Sequence, residues 1–283
     1  MIWMDGKALA AKRKAELRGK VDKLPGKPGL AVILVGDDPA SRTYVNGKRR
    51  DCEECGFYSE EYTMPAGTAQ ADLLALIDEL NAREDIDGIL VQLPLPKGLD
   101  SRVLLDAIRP DKDVDCFHPV NVGKLFSGQT GGFAPCTPAG VMDLLHEYGI
   151  EPTGKECVVL GRSNIVGKPM AALLLAEDGT VTICHSATPD LAQKCATADI
   201  LVSAVGKAGL VTGDMVKEGA VVVDVAMNRD AEGKLCGDVV MEEVAEKAAY
   251  LTPVPGGIGP MTRAELMRNT YRAACRHLNV DPA

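Results

Sequence analysis

The sequence predicts an α/β protein of two domains: an N-terminal α/β domain, then a Rossmann-like domain built on a parallel sheet. Three observations carry this. Short apolar runs are bounded by glycine, as in strands buried on both faces. Past Gly154 such runs, near residues 157–160, 181–184, 199–205, 220–225 and 250–253, alternate with helical stretches. One of them ends at Gly161, and Gly167 and Pro169 then open an apolar helical run, which is the strand–turn–helix unit that cradles phosphate in dinucleotide-binding folds.

A chain of 283 residues has room for one large domain or two of ordinary size. A net charge of -9 argues against non-specific binding to nucleic acid or to an anionic membrane. No apolar run reaches the length of a membrane span, and the charged helix near the start is unlike a secretory signal. Nine scattered cysteines, an odd number, suit a reducing compartment, so the expected setting is the cytoplasm. Cys52 and Cys55 form a C-x-x-C with no second ligand pair at zinc spacing, and no metal site is expected.

Taken in order, Ala10, Lys14, Leu17, Val21 and Leu24 step by three and four residues and mark an amphipathic helix, stopped by Pro25-Gly26. Residues 30–35 read as a buried strand. Asp38 then suits an N-cap, Pro39 the first helical position and Gly56 the C-terminal stop of the next helix. Within it Tyr44 and Lys48 share a face, near the carboxyl end of the preceding strand, where open α/β sheets bind ligands. A lysine held there can lose solvation and move protons, beside an aromatic platform; from spacing alone, a solvated lysine and a packed tyrosine are the better fit.

Leu73, Leu76, Ile77 and Leu80 form a further helix stripe, and residues 88–91 another buried strand. The prolines of Leu93-Pro94-Leu95-Pro96 stop pairing and leave Gln92 at a strand's carboxyl end, either as a structural amide or as a partner for Lys48. Residues 111–115 open like a calcium loop but lack its glycine and closing glutamate; an aspartate here either caps a turn or receives donors from a ligand. Thr137-Pro138 starts a helix with the stripe Val141, Leu144, Leu145 and Tyr148, taken as a bridge between the domains.

In the Gly161 turn, Ser163 replaces the middle glycine of G-x-G-x-x-G, so an ordinary strand–helix turn stays open on pattern alone. The next strand ends in His185-Ser186 without the acidic residue that holds the ribose hydroxyl of NAD. With Arg162 in the turn, a phosphate fits better than a hydroxyl, and NADP is preferred over NAD. The last strand breaks into Pro253-Val254-Pro255-Gly256-Gly257-Ile258-Gly259-Pro260-Met261-Thr262, whose glycines allow backbone close to a ligand; a plain linker between domains is the alternative. A helix with the stripe Met267, Tyr271, Ala274 and Leu278 follows.

Five blocks then line up with one family. Asp37-Asp38-Pro39-Ala40-Ser41 with Tyr44-Val45 and Lys48 resembles the first signature of the bifunctional methylenetetrahydrofolate dehydrogenase/methenyltetrahydrofolate cyclohydrolase family. Residues 91–96, 111–118, 161–169 and 253–262 resemble its later blocks, in family order over nearly the whole chain. The resemblance implies a folate-binding catalytic domain over 1–138, completed by a C-terminal helix at 260–283, an NADP-binding domain over 139–259, and a cleft between them. It implies a folate substrate, NADP as cofactor and a homodimer, in one-carbon metabolism that serves purine biosynthesis.

Carried over by position, the resemblance assigns Lys48 to proton movement around the attacking water in hydrolysis, Gln92 to poising Lys48, Tyr44 to stacking on the folate and Asp115 to the pterin's amino edge. It assigns Leu93, Pro253, Gly256 and Gly257 to the folate side, and Gly161, Arg162, Ser163, Ile165, His185, Ser186 and Met227 to NADP. Two places depart from the family: Cys116 stands where glycine is usual, and Ala226-Met227 where glycine-isoleucine is usual. These bear on affinity and cofactor preference more than on the reacting groups. A monofunctional NAD(P)-dependent dehydrogenase and a non-catalytic nucleotide sensor are the competing readings.

Overall fold

The glycine-bounded apolar runs are strands in the computed structural model, which describes residues 1–282. The first half of the chain runs β1 (Ile2–Trp3), α1 (Gly6–Val21), β2 (Gly29–Val35), α2 (Pro39–Cys55), β3 (Tyr58–Met64), α3 (Gln70–Ala82), β4 (Gly88–Val91), α4 (Ser101–Ala107), α5 (Pro119–Phe126) and α6 (Cys136–Glu147). The second half runs β5 (Glu156–Leu160), α7 (Gly167–Ala176), β6 (Thr180–Cys184), α8 (Leu191–Cys195), β7 (Ile200–Ser203), β8 (Val221–Asp224), β9 (Asn228–Arg229), β10 (Leu235–Cys236), α9 (Met241–Ala245), β11 (Tyr250–Leu251) and α10 (Ile258–His277). Among the described residues no helix is long and apolar enough to cross a membrane.

Two compact units result: Met1–Ala10 with Thr137–Thr262, and Ala11–Cys136 with the chain from Arg263 onward. Residues 1–10, expected with the first domain, group here with Thr137–Thr262. Strand β1 pairs in parallel with β11, Ile2 opposite Tyr250, and Met4 N–H donates to Leu251 O at 2.9 Å. A two-residue strand carries no periodicity, so its distant partner leaves no local trace.

The lysine-bearing unit holds a three-stranded parallel sheet in the order β3-β2-β4. All seven residues of β2 are buried, because helices cover both faces of the middle strand. Leu73, Ile77 and Leu80 of α3 pack on one side, with Ile33 and Ile89. Leu17 of α1, Val45 and Cys52 of α2, and Leu266, Met267 and Tyr271 of α10 pack on the other, with Leu30 and Val32. Strand β3 went unforeseen: its residues YSEEYTM are mostly half-buried, with no apolar run to mark them.

The parallel-sheet unit holds six strands in the order β1-β11-β8-β7-β5-β6, all parallel. Val159 of β5 faces Ile183 on one side and Val202 on the other. The core gathers Leu160, Leu201, Val222, Val244 and Leu251. Two helix starts differ from expectation: α6 begins at Cys136, ahead of Thr137-Pro138, and α10 at Ile258, inside the glycine-rich loop.

Candidate active site

Helix α2 sets the position of the first group of side chains. Asp38 caps it by accepting from Ser41 N–H at 2.8 Å, Pro39 opens it, and Gly56 closes it at φ 76°. With both ends fixed, Tyr44 and Lys48 lie one turn apart, Tyr44 half-buried and Lys48 buried. The Lys48 amine donates to Gln92 Oε1 at 3.0 Å. Gln92 in turn donates from Nε2 to Leu93 O at 2.7 Å, and its backbone N–H extends the ladder onto Ile33 O at 2.8 Å. The strand end therefore holds the amide, and the amide orients the amine.

Burial pushes the Lys48 amine below its ordinary value. Asp115, Cys136 and Cys52 act in the opposite direction, and the Arg263 guanidinium acts with burial. Burial likewise raises the Tyr44 hydroxyl, against the influence of Arg263. An amine depressed in this way is available as a proton acceptor nearer neutral pH than a surface lysine.

The 111–118 loop separates its aspartates. Asp113 is buried and accepts from Phe117 N–H at 3.0 Å, His118 N–H at 2.9 Å and Asn121 Nδ2 at 2.8 Å. Burial still lifts its carboxyl to about 6. Asp113 thus caps the loop, while Asp115 makes none of those bonds and acts electrostatically on Lys48. Cys116, the departure from glycine, has φ 61°, in the left-handed region that disfavours a side chain. Its buried thiol donates to Phe133 O at 2.9 Å, which offsets part of that strain. Cys52 and Cys55 are both buried on α2, where burial lifts each thiol to about 12, so this C-x-x-C packs as core.

The second group lies on the parallel-sheet unit. An added Cβ at Gly161 would overlap Ala204 O, and one at Gly167 would overlap Gly161 O, so the turn closes only around two glycines. Ser163, in place of the middle glycine, accepts at Oγ from Val166 N–H at 3.1 Å and Gly167 N–H at 3.3 Å. It thereby organises the start of α7. Arg162, Ser163 and Ile165 are exposed along this turn. After β6, His185 Nδ1 accepts from Ala187 N–H at 3.2 Å, His185 is half-buried and Ser186 exposed. The cradle fits a dinucleotide phosphate: close backbone approach, a helix N-terminus and a cationic side chain.

Two buried aspartates brace this unit and were missed from sequence. Asp238 accepts from Ser203 Oγ at 2.8 Å, Val205 N–H at 2.8 Å, Lys207 N–H at 2.7 Å and Asn228 Nδ2 at 3.0 Å. Asp224 accepts from Ala226 N–H at 3.1 Å and Val239 N–H at 2.9 Å, and burial lifts its carboxyl to about 6. Between them they shape the loop carrying Ala226, which is buried, and Met227, which is exposed. For Asp224 the available signal was a carboxylate ending an apolar strand. The loop at 253–257 is fixed from the chain start: Lys7 N–H donates to Gly256 O at 2.8 Å, and Gly6 packs against Gly257.

Fold and side chains together define a two-unit α/β enzyme, with a nucleotide cradle on one unit and a buried, amide-held lysine on the other. The chain belongs to the tetrahydrofolate dehydrogenase/cyclohydrolase family, whose catalytic-domain model matches residues 4–115 and whose NAD(P)-binding-domain model matches residues 135–278. It is similar to the bifunctional protein FolD of Ruminiclostridium cellulolyticum, 58% identical over 273 residues, covering 95% of this chain and 96% of that protein. The solved structure of bifunctional FolD from Campylobacter jejuni has a TM-score of 0.96 at 51% identity, covering 98% of this chain and 99% of that one. The Trypanosoma brucei enzyme, solved with NADP cofactor and inhibitor, has a TM-score of 0.93 at 42% identity, covering 97% of each chain.

Proposed function

We propose that this chain oxidises 5,10-methylenetetrahydrofolate to the 5,10-methenyl cation with NADP, and then hydrolyses that cation to 10-formyltetrahydrofolate. The observation that carries the reading is the buried Lys48 amine bonded to Gln92, within the region matched by the family's catalytic domain. NADP, when bound, supplies the acceptor for the hydride that leaves the one-carbon bridge. Gly161, Ser163, Ile165, His185, Ser186 and Met227 hold it in this reading, with Arg162 on the 2′-phosphate.

Hydrolysis is the step for which Lys48 is suited. Water oxygen bonds to the bridging carbon and gives one proton to Lys48 Nζ. The bond from that carbon to N5 then breaks, N5 keeping its electron pair and taking the proton from Lys48. The second water proton leaves to solvent as the formyl carbonyl forms. The substrate of this step is itself a cation, so an unprotonated Lys48 avoids like-charge repulsion as well as serving as base. Gln92 holds the amine in line, Tyr44 stacks on the folate ring system, and Asp115 accepts from the pterin's amino edge. Leu93, Pro253, Gly256 and Gly257 are further folate contacts in the same reading.

We extend the reading to a cytoplasmic homodimer that supplies formyl groups for purine biosynthesis. Nine free cysteines, eight of them buried, support a reducing setting, and the family resemblance supports the dimer. The test of function is direct. Methylenetetrahydrofolate and NADP should yield NADPH, and methenyltetrahydrofolate should lose its absorbance in the presence of the wild-type chain but not of Lys48→Ala. NADP binding with no turnover of either folate would overturn the proposal.

A further inference from the structure

Helix α2 carries a glycine immediately before Lys48, in an interior position that ordinarily weakens a helix. The reason lies on α10: an added Cβ at Gly47 would overlap the Arg263 guanidinium, so the missing side chain is the space that guanidinium fills. One turn further along α2, Asp51 lies buried, with its Oδ2 3.2 Å from Arg263 Nη1 and its Oδ1 2.6 Å from Lys14 Nζ. Lys14 also pairs with Glu54 at the surface. Asp51 Oδ2 makes no hydrogen bond, so its hold on Arg263 is one of charge. A buried carboxylate, a helix glycine and a lysine on the buried face of α1 thus share one effect: they keep a cation against the stretch of α2 that bears Tyr44 and Lys48.

We propose that Arg263 is a positioning residue for the hydrolytic step, a fixed cation anchored on Asp51 across Gly47 and placed beside Lys48. This rests on the proposed function and names a control on the same site. The charged and titratable groups acting on Lys48 are Asp115, Cys136 and Cys52, which favour its ammonium form, and Arg263, which opposes it. The same guanidinium acts on Tyr44. Arg263 therefore offsets Asp115: the carboxylate needed for the pterin edge would otherwise draw a proton onto the base. Because Asp51 partly neutralises the guanidinium, its influence is smaller than that of a bare charge at the same place.

The test is the pH profile of methenyltetrahydrofolate hydrolysis by the full chain, comparing wild type, Arg263→Gln, Arg263→Lys and Gly47→Ala. Arg263→Gln should move the half-maximal point of the acidic limb upward by about half to one pH unit, lowering kcat on that limb about three- to tenfold. Arg263→Lys keeps the charge and should restore most of the profile. Gly47→Ala, which displaces the guanidinium without removing it, should shift the limb in the same direction. Turnover of methylenetetrahydrofolate with NADP reports whether each variant is folded. Should Arg263→Gln fail to fold, Gly47→Ala carries the test alone. A limb that stays in place, moves downward, or moves equally in the Lys variant would overturn the role of Arg263. A wild-type chain that performs no hydrolysis would instead overturn the proposed function.

Discussion

The two units hold their functional groups in opposite ways. In the lysine-bearing unit the side chains are committed before any ligand arrives: Lys48 is buried and bonded to Gln92, and Gln92 to Leu93. In the parallel-sheet unit it is the backbone that is fixed first, and Ser163 serves to fix it. Gly161 and Gly167 fix the turn, whereas Arg162, Ile165 and Met227 are exposed. The difference fits the tasks proposed for the two units. A base must be desolvated and aimed, because its proton affinity is set by what surrounds it. A phosphate cradle needs N–H groups in a fixed arc, and a side chain that closes over the ligand adds to it.

The contrast is tested most severely by Lys48→Ala. Hydrolysis of methenyltetrahydrofolate should fall by about two to four orders of magnitude, while the dissociation constant for NADP, read by calorimetry, stays in place. A parallel loss of NADP affinity would mean that the groups are not divided in this way. The converse variant is Gly161→Ala, whose Cβ meets Ala204 O at a residue with φ 118°. It should destabilise the chain by about 1–3 kcal/mol in thermal unfolding and weaken NADP binding, yet leave hydrolysis of supplied methenyltetrahydrofolate measurable. Arg162→Ala should act on cofactor choice alone, reducing the ratio of kcat/KM for NADP over NAD by about 10- to 100-fold, the worth of a charge-assisted hydrogen bond. An unchanged ratio would remove Arg162 from the 2′-phosphate.

The smallest effect concerns stability and pH. His277, at the end of α10, bonds Asp87 Oδ1 at 2.7 Å and Asp111 Oδ2 at 3.2 Å. The bond to Asp87 raises its imidazole above the ordinary value, with Asp111 acting in the same direction and burial opposing. A group raised in the folded state stabilises fully below its unfolded value and ceases to do so as pH rises through the folded one. The stability difference between wild type and His277→Gln, measured by urea unfolding, should be largest below about pH 6.5 and shrink as pH rises. A difference that grows with pH would contradict the pairing.

Legibility in the sequence followed the range of the interaction. The caps of α2 were readable because Asp38, Pro39 and Gly56 act on their own neighbours, and the strands were readable because burial on both faces leaves continuous apolar runs. Lys48 and Gln92 could be placed at strand ends, but only the fold brings an amine and an amide 44 positions apart within 3.0 Å. Strand β3 was illegible because it leaves no apolar run, and the home of β1 because a two-residue strand carries no sign of its partner β11. So were Asp51 and Arg263, although Lys14 on an otherwise apolar stripe was a sign of a buried counter-charge. That Asp113 caps the loop could be read only from its hydrogen bonds, since it and Asp115 stand in the same short run of aspartates.

The central claim is that burial makes Lys48 a base. It is tested most directly by following the lysine side-chain nitrogens through a pH titration by nuclear magnetic resonance, with Lys48→Ala identifying the signal. The expected result is a single resonance, absent from the variant, that titrates below the ordinary lysine value of about 10.4. A Lys48 signal that titrates at or above that value would contradict the claim.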